Sequence, residues 1–187
     1  MNFPAFKEWS VIVSALGTGE QLLILRKGGI SEGPAGFQIG ATRFWLFPTR
    51  FHQQFEKTKP AAARFAPPAN TPAALASSAP AHIELRYFAD LAHTAFLTDW
   101  PAVARLDPHH LWTESTVRER FDWSRPAGLH VLVVRIHKLA TPLSLPLTPD
   151  MAGCKSWIDL PIPFDAHPSA PVLSDAAFAT RLSALSL

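Results

Sequence analysis

Hydrophobic and polar positions repeat with different periods along the chain, and each change of period marks an expected element. Phe6, Trp9, Val13 and Leu16 recur at helical spacing, which predicts an amphipathic helix over residues 6–16. Gly17 and Gly19 are expected to end it, because glycine accepts the left-handed backbone of a helix C-terminus. Residues 21–26 read as a strand, and the run Leu22-Leu-Ile-Leu25 implies burial on both faces. The glycine-rich stretch 28–36 reads as a loop. Residues 43–47 return as a second strand ended by Pro48. A hairpin of these two strands packed on the first helix is the simplest local arrangement.

Further along, residues 82–88 alternate, with Ile83, Leu85 and Tyr87 on one side, as in a half-buried strand. Asp99 is placed to cap a short helix opened by Trp100 and Pro101, and Thr113 to cap another over 114–121. Residues 128–139 are apolar on both faces, which predicts a central strand. Prolines from 142 to 149 read as an extended connector, and 155–160 as a last strand. Ser174 is expected to cap a C-terminal helix carrying Phe178, Leu182 and Leu185 on one face, within 174–187. Together these elements predict an α+β fold with a mixed, largely antiparallel sheet packed by several helices.

Composition narrows the organisation. The chain has 187 residues, 48% hydrophobic and 17% charged, which fits a single domain over 1–187. Residues 60–81 are mostly Ala, Pro, Ser and Thr and read as a disordered loop or insertion. The single cysteine, Cys154, permits no intramolecular disulfide and fits a reducing compartment. No basic segment followed by an apolar run opens the chain, and no apolar run approaches the roughly 20 residues of a membrane span. A cytoplasmic protein with no membrane partner and no cofactor is therefore expected. The net charge is only +2. Residues 1–66 hold eight Lys/Arg against four Asp/Glu, whereas the remainder holds nine against eleven. The N-terminal third is thus the part suited to an anionic partner, although a scattered solvated surface has the same composition.

Two clusters carry candidate chemistry. In Leu25-Arg-Lys-Gly-Gly-Ile30, two cations leave a strand directly into a Gly-Gly turn. Arg26, Lys27 and the amides of Gly28 and Gly29 suit a phosphate or carboxylate, and an ordinary polar turn is the competing reading. Trp45 and Phe47 share one strand face, suited to stacking on bases or to filling a core. His52 and Gln53 follow that strand, where His52 is either a cleft-facing base or donor or a surface histidine. In the second cluster, Trp112 to Trp123, Arg118 stands four residues after Glu114 as in a simple helix ion pair. The functional alternative brings Arg118 or Arg120 to the same pocket as Arg26. Cys154 beside Lys155 is a structural thiol or one with a lowered pKa.

Several chemistries lack their residues. There is no His-x-x-x-His pair, no second cysteine for a zinc site, no glycine-rich nucleotide loop and no Gly-x-Ser-x-Gly elbow. No metal site is assigned. The Phe44-Trp-Leu-Phe-Pro48 string loosely resembles a Nudix opening, but Thr49 and Arg50 replace the glycines and no carboxylate helix follows. A diverged metal-dependent nuclease site built from Glu8, Glu32 and Glu84 stays open.

The strings Phe6-Lys-Glu-Trp9, Leu23 to Ile30, Phe44 to Thr49 with His52-Gln53, Leu111-Trp-Thr-Glu114, Val117 to Trp123, Gly128 to Arg135 and Gly153 to Trp157 together resemble the bacterial family called domain of unknown function 1802. That resemblance spans nearly the whole chain apart from the Ala/Pro stretch and the last helix, and it brings no activity with it. A fainter resemblance links the Gly19-Glu20 ending and the Leu25-Arg26 strand end to PUA-like domains of the ASCH and EVE types. Those are small mixed β-barrels that bind RNA or modified bases. It implies that Trp9, Arg26 and Lys27 line a cleft, that Trp45 stacks and that Arg118 neutralises phosphate. The functional expectation is a nucleic-acid-binding module for RNA or modified DNA. The alternatives are a metal-dependent nuclease or other hydrolase, and a protein-interaction module using the stretch 60–81.

Overall fold

A computed structural model of the chain describes residues 2–26, 39–50, 53–66, 82–123, 127–153 and 155–187. It has seven strands and four α-helices among these residues: β1 (Phe3–Trp9), α1 (Ser10–Gly17), β2 (Leu23–Arg26), β3 (Arg43–Thr49), β4 (His82–Leu97), α2 (Trp100–Ala104), α3 (Glu114–Asp122), β5 (Leu129–Pro146), β6 (Trp157–Leu160), β7 (Ser169–Pro171) and α4 (Asp175–Ala184). The strands form one sheet in the order β2-β5-β4-β3-β1-β6, with β7 paired to β5. All pairs are antiparallel except β1 with β3. The fold is therefore α+β with a mixed, largely antiparallel sheet.

The N-terminal expectation is corrected. Residues 3–9 are a strand, not the start of a helix, and only Ser10–Gly17 is helical. Helical spacing of four apolar residues does not exclude a strand when both flanks are filled. Phe6 lies between Leu46 of β3 and Trp157 of β6, so the backbone of β1 finds partners on both sides. The helix begins where that pairing ends. Gln54 takes the role of an N-terminal cap, its Oε1 accepting from Val11 N at 3.4 Å and from Ser10 Oγ at 3.2 Å. At the other end Gly19 adopts φ +75°. Gly19 N donates to Leu16 O at 3.0 Å and Glu20 N to Ala15 O at 3.1 Å, the paired bonds of a Schellman ending.

The expected β2–β3 hairpin is also corrected. Strand β2 pairs with β5, whereas β3 lies between β1 and β4. Strand β5 is apolar on both faces and long enough to take β2, β4 and β7 as partners. It extends to Pro146, so the proline-spaced residues 143–146 pair with 82–85 of β4 instead of forming a free connector. The caps at Asp99, Thr113 and Ser174 form as expected, accepting from Ala102 N at 3.1 Å, Thr116 N at 3.3 Å and Ala177 N at 3.3 Å. Within the stretch 60–81, residues Pro60–Phe65 form a 3-10 helix with Ala62 fully buried, and 67–81 lie outside the described residues. Pro60 opens the turn with a fixed φ, and Ala62 is small enough to pack into the core.

The core has two parts. The larger gathers Phe6, α1, β2, the middle of β5, Phe44, Leu46, Trp112, Val117 and Phe121. The smaller gathers Ala5, Trp45, Phe47, Leu85, Phe88, Leu139, Leu160 and Ile162. Alternate residues of β3 thus enter different cores, as the two-residue period of a strand requires. The terminal strands of the path approach each other: Arg26 at the end of β2 donates from Nη2 to Ser156 Oγ, just before β6, at 2.8 Å.

Candidate functional site: a buried arginine–tryptophan cluster

The contact between the sheet ends marks the candidate site. Glu8 and Phe6 share one face of β1, and Trp9 follows at the strand end. Arg26 leaves β2 with its guanidinium 5.1 Å from the Phe6 ring. Its hydroxyl partner Ser156 is fully buried and is held by Lys7 N donating to Ser156 O at 2.8 Å. Arg120 comes from α3. Its guanidinium lies 4.9 Å from the Trp9 ring and 4.8 Å from the Trp112 ring, and Nη1 donates to Leu25 O at 2.9 Å. Two cations thus meet among three aromatic side chains, with the carboxylate of Glu8 close enough to act on Arg120.

Local structure fixes each group. Thr116, Val117, Arg120 and Phe121 lie on one stripe of α3, and three of these four are buried. Arg120 is therefore carried toward the sheet. Trp112 is placed by a short antiparallel bridge to Thr58, with Lys59 N donating to Leu111 O at 2.7 Å and Thr113 N to Lys57 O at 3.1 Å. Gln21 joins this segment to β2 by accepting from Leu111 N at 3.0 Å and donating to Leu23 O at 2.7 Å.

The electrostatics follow from the enclosure. Burial lowers the Arg120 pKa to about 10; Glu8 opposes the shift and the like charge of Arg26 adds to it. Arg120 still carries its proton at neutral pH. His110, next to Trp112 with ring centroids 5.7 Å apart, is lowered to about 4 by burial and then by the charge of Lys59. His110 is thus neutral at neutral pH.

Among the described residues, four buried side-chain polar atoms have no hydrogen-bond partner: Glu8 Oε2, Arg26 Nε, His110 Nδ1 and Trp112 Nε1. Glu8 is 1% exposed and Trp112 0%. The other Glu8 oxygen is engaged, accepting from Trp9 N at 2.8 Å. Buried polar atoms are nearly always paired in native proteins, so these orphaned groups point to a missing partner.

The site expectations divide. Trp9 and Arg26 belong to the cluster. Lys27, Gly28, Gly29 and His52 lie outside the described residues, as do Glu32 and Cys154. Trp45 is corrected: it is 0% exposed, and Nε1 donates to Ile162 O at 2.9 Å, so neither face is open to a base. Arg118 is corrected as well. It pairs with Asp122 at 2.7 Å, not Glu114, and lies over Trp100 at 4.6 Å. Arg120, two residues on, is the one that reaches Arg26. Of the candidate nuclease carboxylates, Glu8 is in the cluster, while Glu84 is exposed and paired with Arg86. Among the described residues no three His, Cys, Asp or Glu side chains converge on a metal position. No helix there is long and apolar enough to cross a membrane.

An α+β domain with a mixed sheet and an Arg–Trp–Glu cluster where the end of β2 meets the residue before β6 is the class that fold and geometry define. The chain belongs to the DUF1802 family, described as a domain of unknown function, whose sequence profile matches residues 5–184. No curated protein sequence matches it. Among solved structures it is similar to an ASCH protein from Zymomonas mobilis, at 13% identity and TM-score 0.47, covering 96% of this chain and 93% of that one. A point variant of the Zymomonas mobilis protein gives the same identity and TM-score, with 96% of each chain covered.

Proposed function

We propose that the protein binds nucleic acid and that the Arg26–Arg120 cluster is its binding site. The observation that carries this reading is the convergence of two guanidinium groups with Trp9 and Trp112 around unpartnered polar atoms. Guanidinium forks recognise phosphate oxygens and base edges, and the half-buried Trp9 indole beside them adds stacking surface. The positive balance of residues 1–66 supplies long-range attraction for a polyanion. The site comprises Trp9, Arg26 and the additional residues Glu8, Trp112 and Arg120.

Fluorescence anisotropy with labelled single- and double-stranded RNA and DNA across a salt series tests this. Affinity is expected to fall linearly in log salt, with each neutralised phosphate of a single strand contributing a slope of about 0.7. Failure to bind any of the four at low salt overturns the reading.

A further inference from the structure

The chain leading into β6 is gripped from the far side of the sheet. Phe6 and Glu8 share one face of β1, and Lys7 between them points to the other. Lysine is rarely buried, yet Lys7 is only 8% exposed. Its ammonium donates to Met151 O at 2.8 Å and to Gly153 O at 2.7 Å. Gly153 has φ +83°, a left-handed conformation that turns the chain and that glycine adopts without strain. The backbone of Lys7 holds the same segment further on, Lys7 N donating to Ser156 O at 2.8 Å. One residue of β1 thus fixes the approach to β6 at three points. The last of them, Ser156, is fully buried, and its Oγ is the acceptor for Arg26 Nη2 at 2.8 Å. Burying an ammonium costs free energy that an apolar side chain of similar volume avoids. What the ammonium holds in place is therefore the reason to look for its role.

We infer that Lys7 is a positioning residue for Arg26: it fixes the segment before β6, so that Ser156 Oγ sets the direction of the Arg26 guanidinium. The role in binding rests on the nucleic-acid reading above, whereas the coupling of Lys7 to Arg26 does not. A guanidinium on a long side chain recognises a ligand well only when its direction is fixed in advance. Ser156 supplies that direction on one side of Arg26, and Lys7 supplies the position of Ser156. Lys7 acts through Ser156 and from the opposite face of β1, without itself touching what Arg26 binds.

A double-variant cycle tests this. Wild type, Lys7→Met, Arg26→Gln and the double variant are titrated with a labelled single-stranded RNA decamer of mixed sequence, and each is unfolded with denaturant. Lys7→Met is expected to weaken binding about tenfold in the wild-type background, the scale of one hydrogen bond to a charged group. Once Arg26 is gone it is expected to weaken binding no further. Equal losses in both backgrounds overturn the inference, because a residue that only supports the fold costs the same with or without Arg26. No loss in the wild-type background overturns it as well. Ser156→Ala, which removes only the hydroxyl, is expected to give the same pattern against Arg26→Gln; a loss that persists without Arg26 breaks the relay. If Lys7→Met does not fold, Lys7→Gln, which keeps an N–H donor on a shorter stem, takes its place in the cycle. Failure of wild type to bind the RNA removes the nucleic-acid reading, and the denaturation midpoints then decide the coupling. The inference requires that the midpoint shifts of Lys7→Met and Arg26→Gln do not sum in the double variant, and shifts that add overturn it.

Discussion

Trp45 and Trp112 are both fully buried, yet their surroundings differ in kind. Trp45 stacks on Phe164 at 5.2 Å and meets Phe88 edge-on at 5.7 Å, and its N–H is paired with Ile162 O. At the rim of that smaller core, Asp90 accepts from Arg43 at 2.5 and 2.9 Å and contacts His137 Nε2 at 3.0 Å. Every one of these groups is partnered. Trp112 instead faces a guanidinium, a neutral histidine and its own unpaired N–H. The difference teaches that aromatic content does not locate a binding site in this fold. Unsatisfied polar atoms are the stronger pointer, because folding alone gives no reason to bury them.

Four experiments break or sharpen that contrast. The largest effect is expected in the satisfied region. Trp45→Ala should lower unfolding stability by about 3–5 kcal/mol, read by chemical denaturation, since it empties a close-packed site. A loss below about 1 kcal/mol would show that the smaller core is not packed as described.

Next comes a pH effect in the unsatisfied region. His110 is lowered from 6.5 to about 4 in the folded protein, so between those values the unfolded chain binds more protons. Stability should therefore fall as pH drops from 6.5 to about 4, by about 3 kcal/mol at most. His110→Gln should flatten the profile over that window. Asp90 adds a separate loss at lower pH. Burial would raise its pKa, but Arg43 and His137 hold it below the ordinary carboxylate range. An unchanged profile in the His110 variant would contradict the buried neutral histidine.

The third experiment compares arginines. Arg120→Gln should weaken nucleic-acid binding about tenfold or more, while Arg118→Gln, which breaks an exposed i,i+4 pair, should leave it nearly unchanged. Equal losses for the two would place the site elsewhere on α3. The smallest effect is expected from Trp112→Phe. It loses packing but removes an unpaired buried N–H, so it should destabilise by about 1 kcal/mol less than Trp45→Phe, which strands a carbonyl. A larger loss at Trp112 would reverse the assignment of the two regions.

Much of the fold is legible in local signals. Three helix caps, the double-faced strand β5 and the C-terminal helix are set by nearest neighbours in sequence, and they form where expected. The failures are long-range. Whether residues 3–9 become strand or helix depends on β3 and β6, which supply backbone partners from positions about 40 and 150 residues away. The same holds for β2, which pairs with a strand more than a hundred residues distant.

The site was half legible. Arg26 and Trp9 stand out by position, and the membership of Arg120 follows from helical spacing, since 116, 117, 120 and 121 share a stripe that excludes 118. A simple Glu114–Arg118 pairing obscures this, because it accounts for the charges without asking which arginine lies above the apolar stripe. Glu8 is on the same strand face as Phe6, a relation visible only once 3–9 is read as a strand. Ser156 meets Arg26 from 130 residues away in the chain, a relation that no local pattern encodes.

The central claim is that the cluster at the meeting point of β2 and β6 is where nucleic acid binds. Its most direct test is the affinity of the double variant Arg26→Gln/Arg120→Gln for a labelled single-stranded RNA, alongside wild type and Trp45→Phe, with melting curves for all three. The account predicts that the double variant loses at least about a hundredfold in affinity while remaining folded, two charge-assisted contacts being removed. Trp45→Phe should bind like wild type despite a lower melting temperature. A folded double variant that binds as tightly as wild type would contradict the claim.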